Sequence, residues 1–154
     1  METPTNEKII DENGAVYEGY EGETVNGEPH GKGKQVNYDK NGNKDVYEGD
    51  FVDGKRCGKC KWTSFNGDVY EGEVVNDKLN GKGRFTYADG SVYEGDFVND
   101  KKHGKGKMIY TDGSKYEGNL ADGKAHGYGK FTYADGTVEE GNWNNGDLID
   151  WWNE

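Results

Sequence analysis

The chain has 154 residues, enough for one domain, with a formal net charge of −11 and 31% hydrophobic residues. This acidic balance excludes a general nucleic-acid binder, which needs a basic surface to replace the counterions around phosphates, and it favours basic partners. No apolar run approaches the roughly 20 residues of a membrane-spanning helix, and residues 1–10 are too polar for a signal peptide. We therefore expect a soluble, cytoplasmic protein.

So few aliphatic residues with so much charge would by themselves predict disorder, but a 23-residue period predicts order. Tyr-Glu-Gly recurs from Tyr47, Tyr70, Tyr93 and Tyr116, and a glycine follows each tyrosine by 11 residues, at Gly58, Gly81, Gly104 and Gly127. Such a period is typical of repeat proteins whose units are single supersecondary elements. The 26 glycines and 11 tyrosines indicate aromatic rings packed on bare backbone.

In chain order, residues 1–16 form a polar segment, and the array is predicted over 17–146 as about five full repeats plus a partial sixth. Tyr17 and Tyr20 compete for the first motif, and Tyr20 is favoured because Gly31 follows it by 11 residues. Val36 and Tyr38 are offset by one position, which predicts a β-bulge. Extra residues from Asp39 to Lys44 are expected to lengthen the turn before Tyr47 into a protruding loop.

The unit from Tyr93 to Lys115 shows the period-2 alternation of two half-buried strands. The residues Asn99 to His103 are predicted to form a polar loop between these strands. Thr111-Asp112-Gly113-Ser114 is predicted to supply the next connection as an Asp-Gly turn, because Asp-Gly is preferred in two-residue hairpin loops. Both connections are short, so the chain should meander as one antiparallel sheet.

The alternation separates two faces. One face carries aromatic residues alternating with glycine, and a ring from the neighbouring strand is expected to lie across each bare Cα. A single layer has no second layer to cover this face, so we expect an elongated sheet that twists and curls into an open groove. The other face has acidic first strands beside basic second strands, which should solvate the sheet and fix its register.

Two side-chain patterns could carry chemistry. Cys57 and Cys60 form a CxxC, which could be a redox pair or half of a zinc site, but both occupy ordinary repeat positions, so variation within the repeat is favoured. His103 and His126 share a phase and should lie in loops about 9–10 Å apart, too far to share one metal ion. No catalytic residue, metal site or cofactor is predicted, and the chain is not expected to be an enzyme.

At the C-terminal end, Glu139 replaces the expected tyrosine and Trp143 fills the position of Phe97. Residues 147–154 are predicted to form a tryptophan-rich cap, and the three tryptophans near this end, Trp143, Trp151 and Trp152, are predicted to close the array against water. If these tryptophans were exposed instead, they would form a docking patch.

The motifs Tyr-Ala-Asp-Gly-Ser from Tyr87, Tyr-Glu-Gly-Asp-Phe from Tyr93 and His-Gly-Lys-Gly from His103 closely resemble the MORN (membrane occupation and recognition nexus) repeat. The resemblance extends roughly from Tyr20 to Gly146. It implies an elongated array of β-hairpins with a groove, used as an interaction module in cytoskeletal, ciliary or membrane-junction scaffolds. The enzymatic activities of multidomain relatives are not implied.

Three functions remain open. The first is a protein-interaction scaffold, plausibly cytoskeletal or ciliary, that binds a partner's helix or extended segment along an aromatic row: Tyr47, Phe51, Trp62, Tyr70, Phe85, Tyr87, Tyr93, Phe97, Tyr110 and Tyr116. The second is peripheral binding of phosphoinositide membranes through Lys59, Lys82 and Lys105, which the net charge opposes. The third is a structural rod that contacts neighbours by its ends, where uncovered sheet edges would also allow end-to-end self-association.

Overall fold

The computed structural model describes residues 9–10, 16–17, 19–39 and 41–151. All regular structure in these residues is β-strand. The strands are β1 (Ile9–Ile10), β2 (Val16–Tyr17), β3 (Tyr20–Val25), β4 (Glu28–Tyr38), β5 (Lys44–Val52), β6 (Lys55–Thr63), β7 (Val69–Val75), β8 (Lys78–Thr86), β9 (Val92–Val98), β10 (Lys101–Ile109), β11 (Lys115–Ala121), β12 (Lys124–Thr132), β13 (Val138–Asn144) and β14 (Asp147–Trp151).

The chain divides into two compact units, one ending at Lys78 and the other beginning at Leu79. In the first unit β1 pairs with β2, and β3 to β7 pair in chain order. In the second unit β8 to β14 also pair in chain order. Every pairing is antiparallel. Each unit is therefore an open meander of hairpins, which confirms the predicted all-β, antiparallel hairpin fold.

The tight turns are the two-residue connections that end β3, β5, β7, β9, β11 and β13. In the turn after β9, Asn99 and Asp100 both have positive φ, at 48° and 70°, as a type I′ hairpin turn requires. The predicted loop from Asn99 to His103 is therefore wrong, because β10 resumes at Lys101. Asparagine and aspartate tolerate the left-handed conformation, so the turn needs no further residue.

The Asp-Gly connections are longer than predicted. Between β10 and β11 the loop runs from Tyr110 to Ser114, closed by the Tyr110 N–H donating to the Ser114 carbonyl at 2.9 Å. Within it, the Gly113 N–H donates to the Tyr110 carbonyl at 3.0 Å, and Gly113 has a φ of 89°. The predicted turn from Thr111 to Ser114 is therefore confirmed in position, but it belongs to a five-residue loop and not to a two-residue one.

The first long hairpin differs from the prediction in another way. The β4–β5 register is continuous from Gly31 opposite Phe51 to Tyr38 opposite Lys44, so the predicted bulge at Val36 and Tyr38 is wrong. The extra residues lengthen both strands, while the loop keeps the usual closure, with the Asp39 N–H donating to the Asn43 carbonyl at 2.9 Å. The insertion therefore extends a hairpin rather than its turn.

The bulges lie inside the tight hairpins. Between β9 and β10 the register shifts between Lys102 and Gly106, where Gly104 has a φ of 98°. The Lys105 N–H, displaced from the ladder, donates to Asp96 Oδ2 at 3.2 Å. Comparable shifts occur in the β3–β4, β5–β6 and β11–β12 hairpins. In the β9–β10 hairpin a carboxylate on the first strand thus replaces the ladder partner that the bulge removes.

The core consists of the first-strand tyrosines and the residues four positions after them. Tyr93 is fully buried and lies in an edge-to-face contact with Phe97, with ring centroids 5.1 Å apart. Its ring covers Gly106, where an added Cβ would lie 2.5 Å from Tyr93 Cε1. Tyr20 covers Gly33 and Tyr116 covers Gly129 in the same way. The predicted packing of rings on glycine is confirmed at these positions.

The opposite face is lined by cross-strand charge pairs, as predicted. Glu94 lies between Arg84 on β8 and Lys107 on β10, and Arg84 Nε is 3.5 Å from Glu94 Oε1. Asp96 Oδ1 is 2.5 Å from Lys82 Nζ. Opposite charges that face each other across a ladder favour the observed register over a slipped one.

Candidate interaction site

The ten aromatic residues predicted to bind a partner fall into two groups. Six are at most 3% exposed and form the core: Tyr47, Phe51, Tyr70, Tyr93, Phe97 and Tyr116. Trp62, Phe85 and Tyr87 are half-buried, and Tyr110 is 41% exposed. The first-strand rings are therefore covered by the fold itself. Partner binding by these ten residues stays a prediction, and only the last four offer substantial accessible surface.

The hydroxyl groups of the buried tyrosines are also satisfied within the fold. Each donates to the backbone carbonyl three residues along its own strand, for example Tyr20 to Glu23 at 2.5 Å and Tyr116 to Asn119 at 2.6 Å. Burial raises the pKa of Tyr20, Tyr93 and Tyr116 to about 12. A partner would find no free hydroxyl on these residues and very little accessible ring surface.

A groove lies on the aromatic face of the second unit, with a volume of about 510 Å³. Its floor contains the buried side chains of Tyr116, Leu120 and Trp143. The Trp143 ring meets the Tyr116 ring edge-to-face at 5.7 Å, and its Nε1–H donates to the Gly129 carbonyl at 2.9 Å. The floor is therefore rigidly held. A volume of this size is typical of ligand sites, which span roughly 300–1,000 Å³.

The accessible part of the groove is a group of three rings. The Phe131 ring lies 4.7 Å from that of Tyr133 and 6.0 Å from that of Tyr110. Tyr110 and Tyr133 are each 41% exposed. The remaining side chains of the lining are Met108, Leu148, Ala125, Lys102, Lys124, Glu139 and Asp147. The groove thus combines exposed aromatic surface with a few charged groups.

Glu139 borders the groove and marks a departure from the repeat. It pairs with Phe131 across the β12–β13 ladder and occupies the position that tyrosine fills in the five preceding motifs. In those motifs the tyrosine ring is buried, whereas Glu139 is a carboxylate that lines the groove. The Tyr133 hydroxyl donates to Glu139 Oε1, and this bond raises the pKa of Tyr133. The missing tyrosine was visible in the sequence and could have located the groove.

Sequence reasoning missed most of the residues that line this groove. Of its lining, only Tyr110 and Tyr116 were predicted as binding residues. Phe131, Tyr133 and Leu148 were not singled out, and Trp143 was predicted to replace phenylalanine and to help close the end of the array. Lys102 was missed because it fell within the predicted polar loop from Asn99 to His103, whereas it lies in β10. The bulge places it on the aromatic face, where it lies opposite Phe97.

The cysteines and histidines lie in strands, at ordinary positions of the repeat. Cys60 pairs with Gly49 and takes the place of the glycine that the Tyr47 ring would cover, and burial raises the pKa of the Cys60 thiol to about 11. Both cysteines are free. Within residues 19–39 and 41–149, no group of three His, Cys, Asp or Glu side chains could hold a metal ion.

The predicted loop position of His103 and His126 is wrong, since both lie in strands, β10 and β12. The Asp122 N–H approaches His103 Nδ1 at 3.5 Å, and the Asn99 N–H donates to Asn80 Oδ1 at 3.2 Å. Side chains at this repeat position therefore link a strand to the tight turn of the next hairpin. The sequence contained the recurring position but no indication of this link.

The family model for the MORN repeat matches residues 20–42, 47–69, 70–92, 93–115 and 116–138, which is well over half of the chain. The chain belongs to the MORN repeat family. The first match begins at Tyr20, the tyrosine favoured from the sequence. In a comparison with curated proteins, none matches the chain.

MORN repeats are non-enzymatic interaction repeats that contact proteins or membranes. Among the described residues, no helix has the length and apolar character needed to cross a membrane. Of the tryptophans predicted to close the array, Trp143 is 8% exposed. The side chains of Trp151 and Trp152 lie outside the part of the chain whose side chains are described.

Proposed function

We propose that this MORN repeat protein is a non-catalytic, cytoplasmic interaction module whose second unit binds an extended segment or helix of a protein partner in the groove beside Phe131. The observation that carries the proposal is the exposed aromatic surface of Tyr110 and Tyr133, each 41% exposed. The core of the unit is complete without these two rings. Tyrosine makes a good anchor because it buries a large area while fixing few rotamers.

A protein partner is favoured over an anionic membrane by the state of the charged face. Lys32 Nζ lies 2.5 Å from Asp50 Oδ1, and Lys82 Nζ lies 2.5 Å from Asp96 Oδ1. A lysine held by a carboxylate contributes little to attraction by lipid phosphate, and the chain as a whole carries a charge of −11. We include a cytoskeletal or ciliary assembly in the proposal as the setting that the repeat family suggests.

The proposal can be tested by photocrosslinking in extract of the native cell. A benzophenone amino acid replaces Tyr133 in the groove or, as the control, Tyr128 on the charged face, which has a similar exposure of 45%. The Tyr128 hydroxyl donates to Glu140 on that face. Because both positions hold an exposed tyrosine, the two crosslinking variants differ in location and not in the size of the ring that is replaced. We expect a discrete protein adduct from position 133 and not from position 128.

A competition experiment makes the test specific. An excess of the unmodified chain should suppress the adduct, whereas an excess of the double variant Tyr110→Ser/Tyr133→Ser should not, because it lacks both exposed anchors. The Tyr128→Ser chain should compete as well as the unmodified one. Equal adducts from both crosslinker positions, or equal competition by all three chains, would place binding outside the groove and reject the proposal.

A further inference from the structure

Within the described part of this chain, two basic side chains lie over aromatic rings, and together they contact three rings. Lys102 on β10 lies opposite Phe97 on β9. The Lys102 Nζ is 5.0 Å from the ring centre of Tyr87 and 5.4 Å from that of Tyr93. Arg56 occupies the same repeat position, opposite Phe51, and its Cζ is 5.5 Å from the Tyr47 ring centre. Within about 6 Å of a ring face a cation is attracted by the ring quadrupole.

Ala125 occupies this position one repeat after Lys102. It lies opposite Leu120 as Lys102 lies opposite Phe97. Its carbonyl accepts the Gly146 N–H at 2.9 Å, just as the Lys102 carbonyl accepts a turn N–H at 2.8 Å. The backbone is therefore built in the same way, but the side chain ends at Cβ. The groove lies at this point, bordered by Ala125 and Tyr110.

The tyrosines confirm the equivalence of the two positions. Tyr87 and Tyr110 each open a five-residue loop with the same closing bonds, at 2.8 Å to Ser91 and 2.9 Å to Ser114. Tyr87, beneath Lys102, is half-buried, whereas Tyr110 is 41% exposed. Replacement of the lysine by alanine thus accompanies the exposure of a ring that is covered one repeat earlier.

The charges at the groove suit a cation from outside. Lys102 and Lys124 border it together with Glu139 and Asp147, so these four formal charges balance. The attraction then comes from the electron-rich ring faces and from the long-range field of a chain with a net charge of −11. A negatively charged group would gain from neither source.

We infer that the groove takes the guanidinium or ammonium group of an arginine or lysine side chain of the partner, placed against Tyr110 above Tyr116, where Lys102 lies one repeat earlier. This inference rests on the proposed function and specifies the chemistry of the partner's segment. The alkyl part of the same side chain would contact Phe131 and the Ala125 methyl group.

The test uses n-butylguanidinium and its neutral isostere n-butylurea with the full chain, followed by NMR at constant ionic strength. We expect n-butylguanidinium to shift the Tyr110 ring and Trp143 indole signals saturably in the millimolar range. At the same concentrations n-butylurea should bind at least about fivefold more weakly, since the cation–π energy of about 1 kcal/mol corresponds to that ratio.

Two variants locate the binding. Ala125→Lys supplies an internal cation and should weaken n-butylguanidinium binding at least fivefold, while Asn144→Lys, which adds the same charge at an exposed position of β13, should weaken it less than twofold. Lys102→Ala should create a second site, seen as new shifts of the Tyr87 ring. Each variant is compared by its amide spectrum, so that only chains with the native fold are scored.

Three results would overturn the inference. Equal binding of n-butylurea, no binding of n-butylguanidinium, or unchanged binding by Ala125→Lys would overturn it. These outcomes leave the photocrosslinking at position 133 untouched, because a purely apolar segment would still give that adduct. Loss of the adduct alone would instead remove the proposed function and leave a small-cation site.

Discussion

The Tyr93 hydroxyl donates a hydrogen bond of 2.8 Å to the Asp96 carbonyl, three residues along the same strand. To reach it, the ring lies flat along the sheet and crosses the neighbouring strand at a glycine. The side chain thus satisfies its own polar atom and fills the core in one conformation. This arrangement explains why tyrosine and glycine recur together in the repeat.

The first prediction concerns Gly106, which the Tyr93 ring covers. A Cβ at Gly106 would lie 2.5 Å from Tyr93 Cε1, and the fully buried ring cannot move aside. We expect Gly106→Ala to lower the free energy of unfolding by about 3 kcal/mol, the upper range for an overpacked core. Urea denaturation followed by circular dichroism measures this change.

Gly113→Ala is the matched control for Gly106→Ala. Gly113 has a φ of 89° but no atom within 4 Å of an added Cβ, so the substitution adds only backbone strain, at about 1 kcal/mol. If the two variants lost the same stability, contact with the Tyr93 ring would not be the reason that position 106 requires glycine.

The second prediction concerns alkaline pH. Burial raises the pKa of Tyr20, Tyr93 and Tyr116 to about 12, whereas an unfolded tyrosine titrates near 10. Above pH 10 the unfolded chain binds fewer protons than the folded chain, so stability should fall as the pH rises from about 10 through 12. Urea midpoints at several pH values, with tyrosinate absorbance followed in parallel, measure the effect.

Tyr20→Phe tests the origin of that alkaline loss. The variant loses the bond to the Glu23 carbonyl at all pH values but removes one buried titrating phenol. Its stability should therefore start lower and fall less steeply above pH 10. A slope equal to that of the unmodified chain would show that other groups cause the alkaline loss.

The sequence predicted the contacts that recur in each repeat, and it did not predict those that occur only once. The glycine beneath Tyr93 recurs at a fixed distance, so a ring on a bare Cα could be inferred without coordinates. Lys102 could not be placed in this way, because its face depends on a bulge two residues later. The groove lies where the chain departs from the repeat, at Glu139 and Ala125, and a period describes only what recurs.

The third prediction concerns acid pH and Asp96. Its ion pair with Lys82, helped by the bond from the Lys105 N–H, lowers the pKa of the Asp96 carboxyl. A carboxylate with a lowered pKa contributes stability above its unfolded pKa, near 4, and loses it as the pH falls through the folded value. Asp96→Asn should therefore be less stable at pH 7, and its stability should change less between about pH 4 and 2.

The size of the Asp96 effect should be modest, because its side chain is 31% exposed and that of Lys82 is 79% exposed. We expect at most about 1 kcal/mol at low salt and less at high salt. Thermal unfolding at both salt concentrations provides the check. An effect that does not change with salt would assign the stability to the Lys105 hydrogen bond alone.

The fourth prediction concerns the reactivity of Cys60. Burial raises the pKa of this thiol to about 11, and only the thiolate reacts with alkylating agents. At pH 8 an ordinary thiol is roughly one quarter ionised. In the folded Cys57→Ser chain, Cys60 should therefore react with iodoacetamide about a hundredfold more slowly than Cys60 in the same chain unfolded in concentrated urea. Mass spectrometry of timed samples measures both rates. Equal rates in the folded and unfolded chains would mean that the thiol is accessible and ionised as in a reactive CxxC, and the position would then be more than a glycine replaced within the repeat.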